Sequence, residues 1–118
     1  MNASAQFAGL AALTGPKDPV YDMVAQFDAR RKIIVEALND LPGVSCADAA
    51  GAFYAFPNIS GTGLNAKQTQ DLFLDEAGVA TVAGTSFGQF GEGYVRFSYA
   101  NSSENILRAI DRIRPLFS

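Results

Sequence analysis

The sequence predicts an α+β fold: a small, mostly antiparallel sheet of three to four strands covered on one face by helices. Three observations carry that expectation. Some segments repeat apolar residues at three- and four-residue intervals, and others are β-rich or aromatic runs bounded by Gly and Pro. Their order along the chain is helix, long helix, strand, strand, helix, strand, strand, helix. Finally, 118 residues that are 48% hydrophobic and 18% charged suit a single core that needs no metal or disulfide staple.

Each element has a local reason. From residue 4 to 13 the chain is alanine-rich, with Phe7, Leu10 and Leu13 at helical spacing, and it stops at Gly15-Pro16. Asp18 then offers an N-cap and Pro19 a first helical position. The stripe that follows, Val20, Val24, Phe27, Ile34, Leu38 and Leu41, is interrupted by Arg31 and ends at Pro42-Gly43. A helix of that extent is about 30 Å long, near the diameter of a small domain, so it crosses the domain or reaches beyond it. Val44-Ser45-Cys46 reads as short and extended, and residues 51–57, Gly-Ala-Phe-Tyr-Ala-Phe-Pro, as an aromatic strand. Asn65 and Gln68 form a capping box for a helix whose apolar side is Leu72, Phe73 and Leu74, with Gly78 as its left-handed terminus. Residues 79–83 are β-rich. In residues 94–99, alternation sets Val95, Phe97 and Tyr99 on one face and Tyr94, Arg96 and Ser98 on the other. Asn101 or Ser102 caps the last helix, Glu104 suits the dipole of its first turn, and Ile106, Ile110, Ile113 and Phe117 form its buried stripe.

Composition excludes several function classes. With no histidine there is no Ser-His-Asp or Cys-His dyad, no Cys/His zinc site and no histidine base. Cys46 stands alone, which reads as a reduced, cytoplasmic setting, and without a basic neighbour it reads as a small core residue. Nine basic against twelve acidic residues, a net charge of −3, argue against nucleic acid as a partner. The first residues lack a basic and apolar leader, and no apolar run approaches the roughly 20 residues of a membrane span. The expectation is a soluble chain with no membrane partner. Asn58-Ile59-Ser60 then matches a glycosylation acceptor by chance.

Few residues offer chemistry. The glycine-rich segment 84–93 lacks the Gly-Lys-Ser/Thr ending of a phosphate loop and reads as a flexible connection between strands. Lys17, Lys32 and Lys67 are the amines to weigh as imine-forming nucleophiles, and all three read as solvated. Asp75 and Glu76 are adjacent, so on a helix they point apart and form a polar face. Arg96 is the exception. A guanidinium in mid-strand is either a solvated or ion-paired surface group, or a planar fork held for a carboxylate.

The residues in order resemble a known family. Gly51 to Pro57, Leu72 to Gly78, Val79-Ala80-Thr81-Val82-Ala83-Gly84-Thr85-Ser86-Phe87 and Tyr94-Val95-Arg96-Phe97-Ser98-Tyr99 are similar to the C-terminal part of class I/II aminotransferases. These are fold-type I, pyridoxal-phosphate enzymes of the aspartate aminotransferase kind. Gln26-Phe27-Asp28-Ala29-Arg30-Arg31 and Leu38-Asn39-Asp40-Leu41-Pro42-Gly43 resemble that family's long interdomain helix and its exit. The resemblance implies a small domain. Residues 1–16 would form a helix that packs on a large domain absent from this sequence, 18–41 the interdomain helix, and 44–118 the sheet and its helices.

It further implies that Arg96 grips the carboxylate of an amino-acid or 2-oxo-acid substrate, and, more weakly, that Gly51 and Phe53 line the site entrance. The whole protein would be a homodimeric transaminase using pyridoxal phosphate. No lysine here has the serine-rich context of the family's cofactor lysine, so the chain alone would bind no cofactor covalently and be inactive. The alternative from the residues themselves is a stand-alone α+β module that binds or senses a small carboxylate. Another pyridoxal-phosphate reaction on the same fold also stays open.

Overall fold

A computed structural model describes residues 2–117. Helix α1, Ala3–Thr14, starts at Asn2, whose side chain accepts the Ser4 N–H at 2.9 Å. At its other end the Lys17 ammonium folds back and donates to the carbonyls of Ala12 and Leu13, where a cation suits the helix dipole. Helix α2 is Asp18–Asn39, and here the expected cap is corrected. Lys17 already has helical backbone angles (φ −98°, ψ −7°), and its carbonyl accepts the N–H groups of Val20 and Tyr21. The helix therefore starts one residue early, and Asp18 sits inside its first turn without capping it.

Helix α2 ends at Asn39, two residues before the expected Leu41, although Leu41 is buried beyond the end. The Asn39 side chain donates to the Cys46 carbonyl at 3.0 Å and accepts its N–H at 2.8 Å. That exchange replaces strand pairing, so residues 44–46 form an isolated bridge at Ser45–Asn58 and no strand. The strands themselves are shorter than expected: β1 is Tyr54–Ala55, β2 is Val82–Ala83 and β3 is Val95–Ser98. At β1 the chain turns in through Ala52 with φ +61°. Before β2 the Val79 N–H is taken by the Phe73 carbonyl at the end of helix α3, Ala66–Ala77. The α3 capping box and its left-handed Gly78 stand as expected, as does the Ser102 cap of helix α4, Ser103–Ile113.

The three strands lie in the order β1-β3-β2, antiparallel throughout. Pairing sets Ala55 opposite Phe97 and Ala83 opposite Val95, and all four side chains are buried under the helices. Ile34 and Leu38 of α2, Phe73 of α3 and Ile106, Ile110 and Ile113 of α4 complete this core. The Phe73 ring lies 5.9 Å from that of Phe97 and 5.6 Å from that of Phe117. The other face of the sheet carries Tyr54, Val82, Arg96 and Ser98.

The segment after β2 is not the flexible connection expected. It forms two 3₁₀ turns, Gly84–Phe87 and Gln89–Gly91, whose ends press together. A Cβ at Gly84 would lie 2.1 Å from the Gly91 carbonyl oxygen, and one at Gly91 would lie 2.0 Å from that of Gly84. Only glycines allow that approach. The Glu92 carboxylate then accepts the Ala66 N–H at 2.8 Å and the Gly93 N–H at 2.9 Å, tying the segment to the start of α3. Those two bonds, Ala66 foremost, hold the Glu92 carboxyl below its ordinary range.

One region departs from compactness. Helix α1 buries no residue: Phe7 is 74% and Leu13 79% exposed, and Val20, Tyr21, Met23 and Val24 at the start of α2 are open as well. The extents are 52 × 28 × 24 Å and the radius of gyration 17.3 Å, against about 13 Å for a compact domain of near this length. Helix α2 thus reaches beyond the core, carrying α1 with it. Among the described residues no helix is long and apolar enough to cross a membrane.

Two predictions follow from this packing. Phe73→Ala should destabilise the chain by about 3–5 kcal/mol in urea unfolding, whereas Leu10→Ala on the uncovered helix should change it by less than about 0.5 kcal/mol. Because the folded Glu92 carboxyl is held low, its stabilisation is present above about pH 4.3 and is lost as pH falls through the folded value. The gap in urea midpoint between the native chain and Glu92→Gln should therefore shrink on acidification. A gap that stays constant down to the acid limit refutes the tie.

Candidate functional site

Arg96 occupies the outward face of the middle strand, and β-alternation puts it there: its neighbours Val95 and Phe97 are core residues. Its surroundings are aromatic. The guanidinium carbon lies 4.3 Å from the Tyr54 ring centre and 4.6 Å from that of Phe87. Behind them Phe56 stacks on Tyr94, with centres 5.3 Å apart and planes 12° apart, and meets Phe87 edge-on at 6.0 Å. Among the described residues no carboxylate stands within ion-pair distance of Arg96, and its side chain has no hydrogen-bond partner. A half-buried, permanently charged fork with its donors unclaimed has the chemistry to pair with a planar anion.

Gly51 and Phe53 belong to a second cluster. With Phe27, Arg31 and Tyr99 they line a cavity of about 390 Å³ between α2 and the entry to β1. Arg31, the residue that breaks the apolar stripe of α2, bonds Asp28 through two nitrogens at 2.9 and 2.8 Å and also reaches Asp48. Asp28 is held low first by Lys32 and then by Arg31, and Arg31 in turn is held even more firmly protonated. The Tyr99 hydroxyl donates to the Ala52 carbonyl at 2.9 Å, and burial pushes its pKa up. The structure therefore does not bring Gly51 and Phe53 against Arg96. The link is indirect: the Phe53 ring lies 4.4 Å from Tyr54, which in turn touches the guanidinium.

Sequence reasoning missed the four rings around Arg96 and the pairing of Arg31. A charge inside an apolar stripe was the available signal for Arg31. For the rings there was only the aromatic richness of residues 53–56 and the phenylalanines of the glycine segment.

The remaining candidates carry no chemistry of their own. Lys17 is engaged by the α1 carbonyls, Lys32 pairs with Asp28 at 2.7 Å, and Lys67 pairs with Asp71. Asp75 and Glu76 are exposed on α3. Cys46 is buried, which pushes its thiol pKa up and makes it a poor nucleophile. Within the glycine segment the Gly84, Gly88 and Gly91 N–H groups donate to the carbonyls of Tyr94, Thr85 and Gly88, so those three are not free for an anion. Among the described residues no group of His, Cys, Asp and Glu could hold a metal.

Comparison with known proteins agrees with this architecture. The family model for aminotransferases of class I and II matches residues 2–113. The aspartate aminotransferase of Pyrococcus horikoshii is 44% identical over 110 residues, covering 92% of this chain and 28% of that protein. Aromatic-amino-acid aminotransferase 2 of Thermococcus litoralis is 40% identical over 110 residues, with the same 92% and 28% shares. A solved alanine aminotransferase from Pyrococcus furiosus matches with a TM-score of 0.93 at 36% identity, over 98% of this chain and 30% of that one. The chain thus spans a little over a quarter of its relatives' length, as their 28% shares show, and it belongs to the class I and II aminotransferase family.

Proposed function

We propose that this chain is the substrate-carboxylate-binding small domain of an aminotransferase that moves an amino group between an amino acid and a 2-oxo acid. The observation that supports it is Arg96, a guanidinium set among aromatic rings with no carboxylate paired to it among the described residues. Amino acid and 2-oxo acid share one feature, the carboxylate next to the reacting carbon, so a single fork serves both directions of transfer. A bidentate pair fixes that carboxylate in plane and orients the Cα–H bond for proton removal.

Enzymes of this family generally use pyridoxal phosphate, which supplies the electron sink for the reaction. The residues present here do not fit that group. Lys17 donates to helix carbonyls, Lys32 and Lys67 pair with carboxylates, and the Gly84, Gly88 and Gly91 N–H groups donate to backbone carbonyls. In this proposal the cofactor is held by the part of the protein outside this sequence.

The same reading gives the uncovered helices a task. Phe7, Leu10 and Leu13, with Val20 and Val24, are the surface on which a large domain packs, and α2 is the lever by which the sheet closes over bound substrate and excludes water. Gly51 and Phe53 would then line the entrance beside that lever. The setting proposed for the whole enzyme is a cytoplasmic homodimer.

In an intact enzyme carrying this sequence, Arg96→Lys should lower kcat/KM on the order of a hundredfold, about 3 kcal/mol, for amino acids of any side chain, since a point charge cannot reproduce the fork. Unchanged kcat/KM would sink the assignment. The 118-residue chain alone, titrated with pyridoxal phosphate, should show no saturable change in the cofactor's visible absorbance. A one-to-one saturable change would place a cofactor lysine here after all.

A further inference from the structure

We infer that Tyr54 and Phe87 are positioning residues: an aromatic clamp that holds the Arg96 guanidinium from two sides and presents its N–H edge to the substrate carboxylate. The inference rests on the carboxylate role proposed for Arg96. Sheet order supplies the two sides. Tyr54 is on β1 and Phe87 is in the turn after β2, and these strands flank β3 on opposite edges. Both ring centres lie within 4.6 Å of the guanidinium carbon, well inside cation–π range.

The donors of a guanidinium lie in its plane, so rings over the cation leave the bidentate edge free. An unclamped arginine carries rotamer entropy that binding must remove, and the clamp removes part of it beforehand. Rings also exclude water, which strengthens the ion pair formed when a carboxylate arrives.

Neither ring swings freely. Tyr54 leans on Phe53 with centres 4.4 Å apart. Phe87 is braced edge-on by Phe56 and rooted in the turn pinned by the Gly84–Gly91 approach. Core packing does not account for their placement: Phe87 is 54% and Tyr54 36% exposed. Large rings left at the surface yet seated on a charge that lacks a counter-ion point to a task at that charge.

The test uses an intact enzyme carrying this sequence, labelled with ¹³C and ¹⁵N at arginine and titrated with maleate as a dicarboxylate probe. In the native chain, ring currents should move the Arg96 δ-methylene and Nε–H signals upfield of ordinary arginine positions. Tyr54→Leu and Phe87→Leu should each remove part of that displacement and weaken maleate binding about twofold to fivefold. The double variant should weaken it about tenfold, and Tyr54→Phe should retain both properties. Ordinary Arg96 shifts in the native chain, or a double variant that binds maleate within twofold of native while Arg96→Lys fails to bind, overturn the clamp alone. Maleate binding that survives Arg96→Lys, or no saturable binding by the native chain, overturns the carboxylate role, and the ring-current shifts then decide the clamp by themselves.

Discussion

Pairing of β3 on both of its edges is the constraint on which the rest of the molecule depends. Val95–Ser98 lies between two strands of two residues each, and its alternation divides the chain's chemistry into two faces. Inward, Val95 and Phe97 anchor a core shared with three helices. Outward, the same pleat commits Arg96 to the opposite surface. A one-residue slip would bury a guanidinium and expose a phenylalanine, so core and site enforce the same register.

Short flanking strands give that register little hydrogen-bond support, and side chains supply the remainder. Asn39 ties residue 46 to the end of α2, Gln70 accepts the Ala83 N–H at 2.8 Å, and Glu92 holds the start of α3. Asn39 and Gln70 satisfy backbone atoms a regular sheet would otherwise pair, and Glu92 satisfies an N–H in the first turn of α3. The segment carrying Phe87 is held by the close Gly84–Gly91 approach and by the Glu92 tie to α3.

Much of this was legible from local pattern. The capping box at Asn65 and Gln68, the left-handed Gly78, Ile106, Ile110 and Ile113 of the α4 stripe and the alternation of residues 95–99 all depend on neighbours within a few positions and stand as read. Phe117 falls in the 3₁₀ turn 114–117 beyond α4 and is half-buried. Arg96 stood out for the same reason, as a charge inside an apolar strand. Local reading erred where another group competes for the same stretch of backbone. Residues 44–46 look extended but answer to Asn39, Asp18 loses its cap to the helical backbone of Lys17, and the glycines of 84–93 permit a backbone contact where flexibility was the natural reading.

By itself, then, the sequence determined which segments are helical, the core sides of α4 and β3, and that one arginine stands apart, because hydrophobic period and capping act over a single turn or pleat. Leu74, read as part of the apolar core side of α3, and Phe7, Leu10 and Leu13 of α1 are instead exposed. Only the tertiary structure decided what surrounds that arginine. Tyr54 and Phe87 lie 42 and 9 residues from Arg96 by their numbers, and the pairing of β1 and β2 with the two edges of β3 helps bring both rings within 4.6 Å of one guanidinium carbon. Likewise Arg31 meets Asp48 across 17 residues, a charge pairing that chain closure creates and that no local pattern encodes.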